Sequence, residues 1–121
     1  GSIEARLYKI RPGVVIVDPL SFAFPGLEEN NAADLSEALS LLTEWTIRYG
    51  CAVVLIHHTG KNGAYRGSSV FEGWPETVLQ ASAANQYGII SVSGRFRCMA
   101  NTGPWRWRIP TKDNPWFCLT T

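Results

Sequence analysis

The sequence predicts an α/β fold in which two parallel strands, joined by a crossover helix, lead into an antiparallel β meander. Three observations carry that expectation. Val14-Val15-Ile16-Val17 and Cys51-Ala52-Val53-Val54-Leu55-Ile56 are unbroken apolar runs of strand length. Such runs suit strands covered on both faces, the usual state of a parallel sheet. Between them, residues 31–49 repeat apolar side chains at helical spacing. From Thr77 onward the pattern changes to short alternating segments. The 121 residues suit a single domain spanning 1–121.

Composition narrows the function classes. Apolar residues make up 45% and charged residues 17%, the balance of a folded globular chain. A formal net charge of +1 exerts no global pull toward nucleic acid or an anionic membrane, so any such site must be a local patch. No apolar run approaches the ~20 residues of a membrane helix, and no signal peptide is visible. The three cysteines, Cys51, Cys98 and Cys118, show no paired spacing, which suits a reduced, cytoplasmic protein. Cys51 reads as a small core residue. Gly1-Ser2 looks like a pair left by tag removal, with the natural start expected upstream.

Ile3, Leu7 and Ile10 fall at helical spacing and predict a short helix over 3–11, broken by Pro12-Gly13. The first strand then ends abruptly in Asp18. The carboxyl end of a strand in an open α/β sheet is where ligands bind, and an acid there can hold a metal-bound phosphate directly or through water. An Asp that merely caps a turn explains the same letters. In residues 19–30, Pro19, Pro25 and Gly26 predict irregular chain. Phe22 and Phe24 there read as packing back onto the next helix, with a ligand or partner contact as the alternative. Glu28 and Glu29 read as a solvated loop near the same end.

Asn31 is placed to cap the following helix, with Asp34 in the capping-box position. Leu35, Ala38, Leu39, Leu42, Thr46 and Tyr49 form its apolar stripe, and Gly50 supplies the left-handed stop. Strand, helix and strand in this order put Asp18 and the His57-His58 pair at one sheet edge. Residues 62–70 form a Gly-rich loop, with Ser68 or Ser69 capping a short turn over 70–74. Strands follow over 77–83 and 87–93, with Asn85-Gln86 as their turn and Arg95-Phe96-Arg97 continuing or following the second. Residues 105–109 alternate strictly, Trp105, Trp107 and Ile109 against Arg106 and Arg108, and 116–120 make a last strand.

VVIVDPL, a helix, CAVVLIHHTGK and then RGSSVFEG together resemble the second half of a RecA-like P-loop ATPase core. The chain is most similar to the RepA-like hexameric replicative helicases and their relatives on plasmids, phages and mobile elements. The resemblance runs over roughly residues 14 to 97. It implies a partial RecA-like core in which Asp18 is the Walker B acid, acting on Mg²⁺ through water. It implies that one histidine of His57-His58, His58 by preference, senses the γ-phosphate of ATP. Gly60-Lys61 matches the family's Gly-Lys, and Arg66-Gly67-Ser68-Ser69 its Arg-Gly-Ser-Ser loop, which faces a neighbouring subunit or the DNA channel. The implied partners are further copies of the chain or the missing N-terminal half of the core, together with single-stranded DNA.

Two departures bear on activity. GxxxxGK[ST], the phosphate cradle, does not occur in these 121 residues. Where the family often carries an arginine finger, this chain reads Glu72-Gly73-Trp74-Pro75-Glu76; Arg95 or Arg97 could substitute, although both read more simply as solvent-facing arginines on a strand. The first expectation is therefore an ATPase part that does not hydrolyse ATP alone. A second is a non-catalytic nucleic-acid module using Arg95, Arg97, Arg106 and Arg108 with Trp105, Trp107 and Trp116, although alternation assigns Trp105 and Trp107 to a core face. A third is an oligomerisation module using Phe22, Phe24 and an uncovered sheet edge. A metal site of His57, His58 and Asp18 is the remaining alternative.

Overall fold

The computed structural model describes residues 2–58 and 69–120. The chain divides into two compact units, Gly1–Trp74 and Pro75–Thr121. The first is mixed α/β around a two-stranded parallel sheet. The second is a four-stranded antiparallel sheet in chain order.

The first unit opens with helix α1, Ile3–Ile10. Ser2 Oγ accepts from the Ala5 N–H at 3.2 Å, and Arg11 closes the helix in a left-handed conformation at φ 51°. Strand β1, Val14–Val17, follows. The expectation of an irregular 19–30 segment needs correction, because Leu20–Ala23 form one helical turn, α2, with Pro19 as its N-cap. Proline is tolerated at the start of a helix, where its missing N–H has no partner to lose. Leu20 is fully buried and pins the turn to the core. Phe24 packs against the same core, whereas Phe22 is exposed.

Helix α3, Ala32–Tyr49, supplies most of that core. Asn31 Oδ1 accepts from the Ala33 N–H at 3.0 Å, and Gly50 ends the helix at φ 65°. Its buried stripe is Leu35, Ala38, Leu39, Leu42, Trp45 and Tyr49. Trp45 replaces Thr46 in the expected set. At the edge of the stripe, the larger apolar surface takes the buried position. Strand β2, Ala52–Leu55, pairs in parallel with β1, in register from Val14↔Ala52 to Val17↔Leu55. Cys51 is buried, as expected, and its thiol reaches the Trp45 carbonyl at 3.5 Å. Helix α4, Val70–Gly73, buries Phe71, and the Trp74 indole N–H donates to Thr43 Oγ1 at 2.9 Å.

The strands are not covered on both faces as their composition predicts. Val17 is buried and Val15, Val53 and Leu55 pack against the core, but Val14 and Ile16 are 54% and 65% exposed, and Val54 is 47% exposed. A two-layer unit covers one sheet face only, and no second layer lies over Val14, Ile16 and Val54 among the described residues of this unit.

The second unit holds β3 (Thr77–Ala81), β4 (Ile89–Phe96), β5 (Thr102–Arg108) and β6 (Cys118–Thr120). Asn85 organises the β3–β4 turn: its Oδ1 accepts from the N–H groups of Tyr87 and Ile89 at 2.9 and 3.0 Å. A bulge at Val92/Gly94 shifts the β4–β5 register by one residue. The pairs Val92↔Trp105, Ile90↔Trp107 and Trp107↔Leu119 put the aromatic row on one face. Ser91↔Arg106 and Ile89↔Arg108 put the arginines on the other.

Candidate functional site

The site is built by the parallel register. Val17 pairs with Leu55, and the Ile56 N–H donates to the Val17 carbonyl at 2.9 Å. The ladder therefore runs to the last residue of β1 and delivers Asp18 and the His57-His58 pair to one rim. Paired residues of neighbouring strands share a face. Along β1 the exposed positions are Val14 and Ile16, and along β2 they are Ala52 and Val54. Asp18 continues the first series, and Ile56 and His58 continue the second; all three are exposed.

His57 belongs to the other series and is half-buried. Its ring stacks on Phe71 with centroids 4.3 Å apart and planes inclined by 26°. The two histidines thus occupy different environments, one held against the core by an aromatic face and one in solvent. Sequence reading did not single out Phe71, since a residue in a one-turn helix after a Gly-rich loop gives no periodic signal. Replacing His57 with Ala is expected to cost about 1 kcal/mol of stability through the lost stack and packing. Replacing His58 with Ala is expected to stay within about 0.5 kcal/mol. Denaturant midpoints of the two variants check the contrast, and equal losses would remove it.

The other candidates disperse. Lys61, Arg66 and Ser68 lie outside the described residues. Ser69 is the N-cap position of α4, but its side chain makes no capping hydrogen bond. Arg95 stands on β4 opposite Val78, and Arg97 donates to Glu76 at 2.5 Å, both in the second unit. Glu28 is exposed in the loop after β1, while Glu29 lines a shallow hollow with Ser21, Leu27 and Asn30. Among the described residues no three His, Cys, Asp or Glu side chains converge as a metal-binding group. The alternative of a metal held by His57, His58 and Asp18 therefore fails. The stack of His57 on Phe71 gives the reason, since it engages that imidazole with the core side of the sheet.

The carboxyl edge of a β-α-β unit, the rim that carries Asp18 and the histidine pair, is where open α/β sheets bind ligands. Comparison with known proteins agrees. The family model of the AAA domain matches residues 2–64, just over half of the chain, and the protein belongs to that family. It is thus an ATPase-related domain. No curated protein matches the sequence at a significant level. No helix among the described residues is long and apolar enough to cross a membrane.

The residues present fit one side of a magnesium-bound nucleotide. An exposed carboxylate suits a hydrated, hard divalent cation, which keeps most of its water and takes one or two carboxylates. A solvent-facing imidazole suits a terminal phosphate. The backbone cradle for the remaining phosphates is not encoded in these 121 residues.

Proposed function

We propose that the chain is the Walker B and sensor half of a RecA-like ATPase of the RepA-like helicase kind, working in replication or mobile-element DNA processing. The observation that supports this reading is the parallel register that sets Asp18 and His58, both exposed, on one rim. Asp18 would hold Mg²⁺ through water, and His58 would donate a hydrogen bond to the terminal phosphate of a bound nucleotide. His57 is a positioning residue: its stack on Phe71 fixes the backbone that presents its neighbour. The bound nucleotide would supply the phosphoanhydride bond whose cleavage drives such motors. Lacking the cradle, this half does not hydrolyse ATP alone. The cradle would come from the missing N-terminal half of the core, further copies of the assembled protein would complete the oligomer, and single-stranded DNA is the expected nucleic-acid partner.

Amide chemical shifts of the labelled chain, titrated with Mg-ATP into the millimolar range, test the reading. Shifts confined to Val17, Asp18, Ile56 and His58 are expected, and Asp18→Asn should weaken them at least severalfold. Shifts mapping elsewhere, or none at all, would sink it.

A further inference from the structure

The second unit carries a charge arrangement that the nucleotide rim does not use. Residues 75–121 carry five basic side chains, Arg95, Arg97, Arg106, Arg108 and Lys112, and two acids, Glu76 and Asp113, a net +3 over 47 residues in a chain whose total is +1. One of those acids is already engaged, since Glu76 pairs with Arg97. Register places three of the arginines on one face. Arg106 pairs with Ser91 and Arg108 with Ile89, so both share a face with Ser91 and Ser93, and Arg95 lies two residues beyond Ser93 on β4. Arg95, Arg106 and Arg108 are all exposed. Gln80 and Val78 lie on this face across β3 and Thr120 and Cys118 across β6, and Glu76 continues it past Val78, where it pairs with Arg97 at the edge.

We propose that the Arg95–Arg106–Arg108 face binds the phosphate backbone of a nucleic-acid duplex without reading its bases. Charge complementarity selects the occupant. Arg106 and Arg108 are two residues apart on one strand, about 6.8 Å along it, close to the spacing of successive phosphates. Guanidinium groups bind phosphate oxygens with paired N–H donors. The same register argues against base stacking. Val92↔Trp105 and Ile90↔Trp107 set the tryptophans on the opposite face, where the Phe96 and Trp105 rings close over Gly94. A nucleic acid on the arginine face thus meets guanidinium and hydroxyl groups, the Gln80 amide and the aliphatic Val78 and Ile89, but no ring of that aromatic row.

Anisotropy of a labelled mixed-sequence DNA duplex, titrated with the intact chain at several salt concentrations, tests this. Three phosphate contacts predict a log–log salt slope of about −2.7, or roughly a 40-fold loss of affinity between 50 and 200 mM salt. R106Q/R108Q should bring the slope to about −0.9 and weaken binding at least tenfold at low salt, whereas R106K/R108K should keep it. R95Q, on another strand, should alone lower the slope by about 0.9, which preserves the test if the double variant misfolds. Tryptophan emission should not change on binding. A slope near zero, unchanged binding by R106Q/R108Q and R95Q, equal affinity for polyglutamate, or quenched tryptophan would each overturn the assignment. The nucleotide rim is read by different residues and a different titration, so either proposal can fail alone.

Discussion

Leu42→Ala is expected to destabilise the first unit by about 3 kcal/mol, within the 2–5 kcal/mol span typical of emptied core leucines. Leu42 is fully buried, and Leu20, Leu35 and Leu39 are as deeply enclosed. The methyl groups removed face a helix and a sheet that are both tied elsewhere: α3 by its Asn31 cap and Gly50 stop, β1 and β2 by their mutual ladder. Neither can close the gap freely, so a cavity remains and its cost adds to the lost transfer energy. The open sheet face amplifies the effect, because α3 is the layer that covers the other one. Hydrogen exchange of the β1 and α3 amides measures the loss locally, which avoids treating two units as one transition. A change below about 1 kcal/mol would mean that α3 does not hold the sheet that carries Asp18 and His58.

Gly103→Ala is expected to cost the second unit about 2–3 kcal/mol, the scale of backbone strain added to overpacking. Gly103 sits at φ 96°, where an L side chain is strained wherever it points. A Cβ there would also lie 2.9 Å from the Val92 carbonyl oxygen and 3.1 Å from the Ser93 Cα. Both neighbours are backbone atoms of β4, so relief requires the strand itself to move. The position belongs to the bulge that lets β5 carry one more residue than β4 between Thr102 and Trp105. Gly94→Ala is the built-in comparison. Its Cβ would approach the Phe96 ring at 2.6 Å, but that obstacle is a side chain that can turn. A smaller loss is therefore expected at Gly94, and exchange rates of the β4 and β5 amides rank the pair. Equal losses would show that the bulge backbone yields as easily as a ring.

The second prediction also bears on the arginine face. The bulge fixes which side of β5 each residue takes, so a register slip there would carry Arg106 and Arg108 to the aromatic side. Disordering of the bulge should therefore weaken duplex binding together with stability. Substitution of the arginines themselves should lower affinity while leaving stability nearly unchanged.

Much of this architecture was legible in one dimension. Two β-branched runs around an amphipathic 18-residue helix determine a β-α-β unit, because a 3.6 period and an unbroken apolar run are local properties of the chain. Strict alternation from Trp105 to Arg108 likewise determines opposite aromatic and basic faces. From these alone Asp18 and the histidine pair fall at one edge, as the register has them. Local pattern does not say how many layers cover a sheet, and Val14, Ile16 and Val54, which their apolar runs imply to be enclosed, stand open. Nor could it separate His57 from His58, which are adjacent in the chain and chemically identical. Their difference arises from Phe71, fourteen residues along and brought beneath one ring when α4 docks. Pattern determines which residues can share a strand or a stripe. What covers them, and which of two equal side chains is held, is decided by contacts between segments distant in sequence, whose energies no local spacing records.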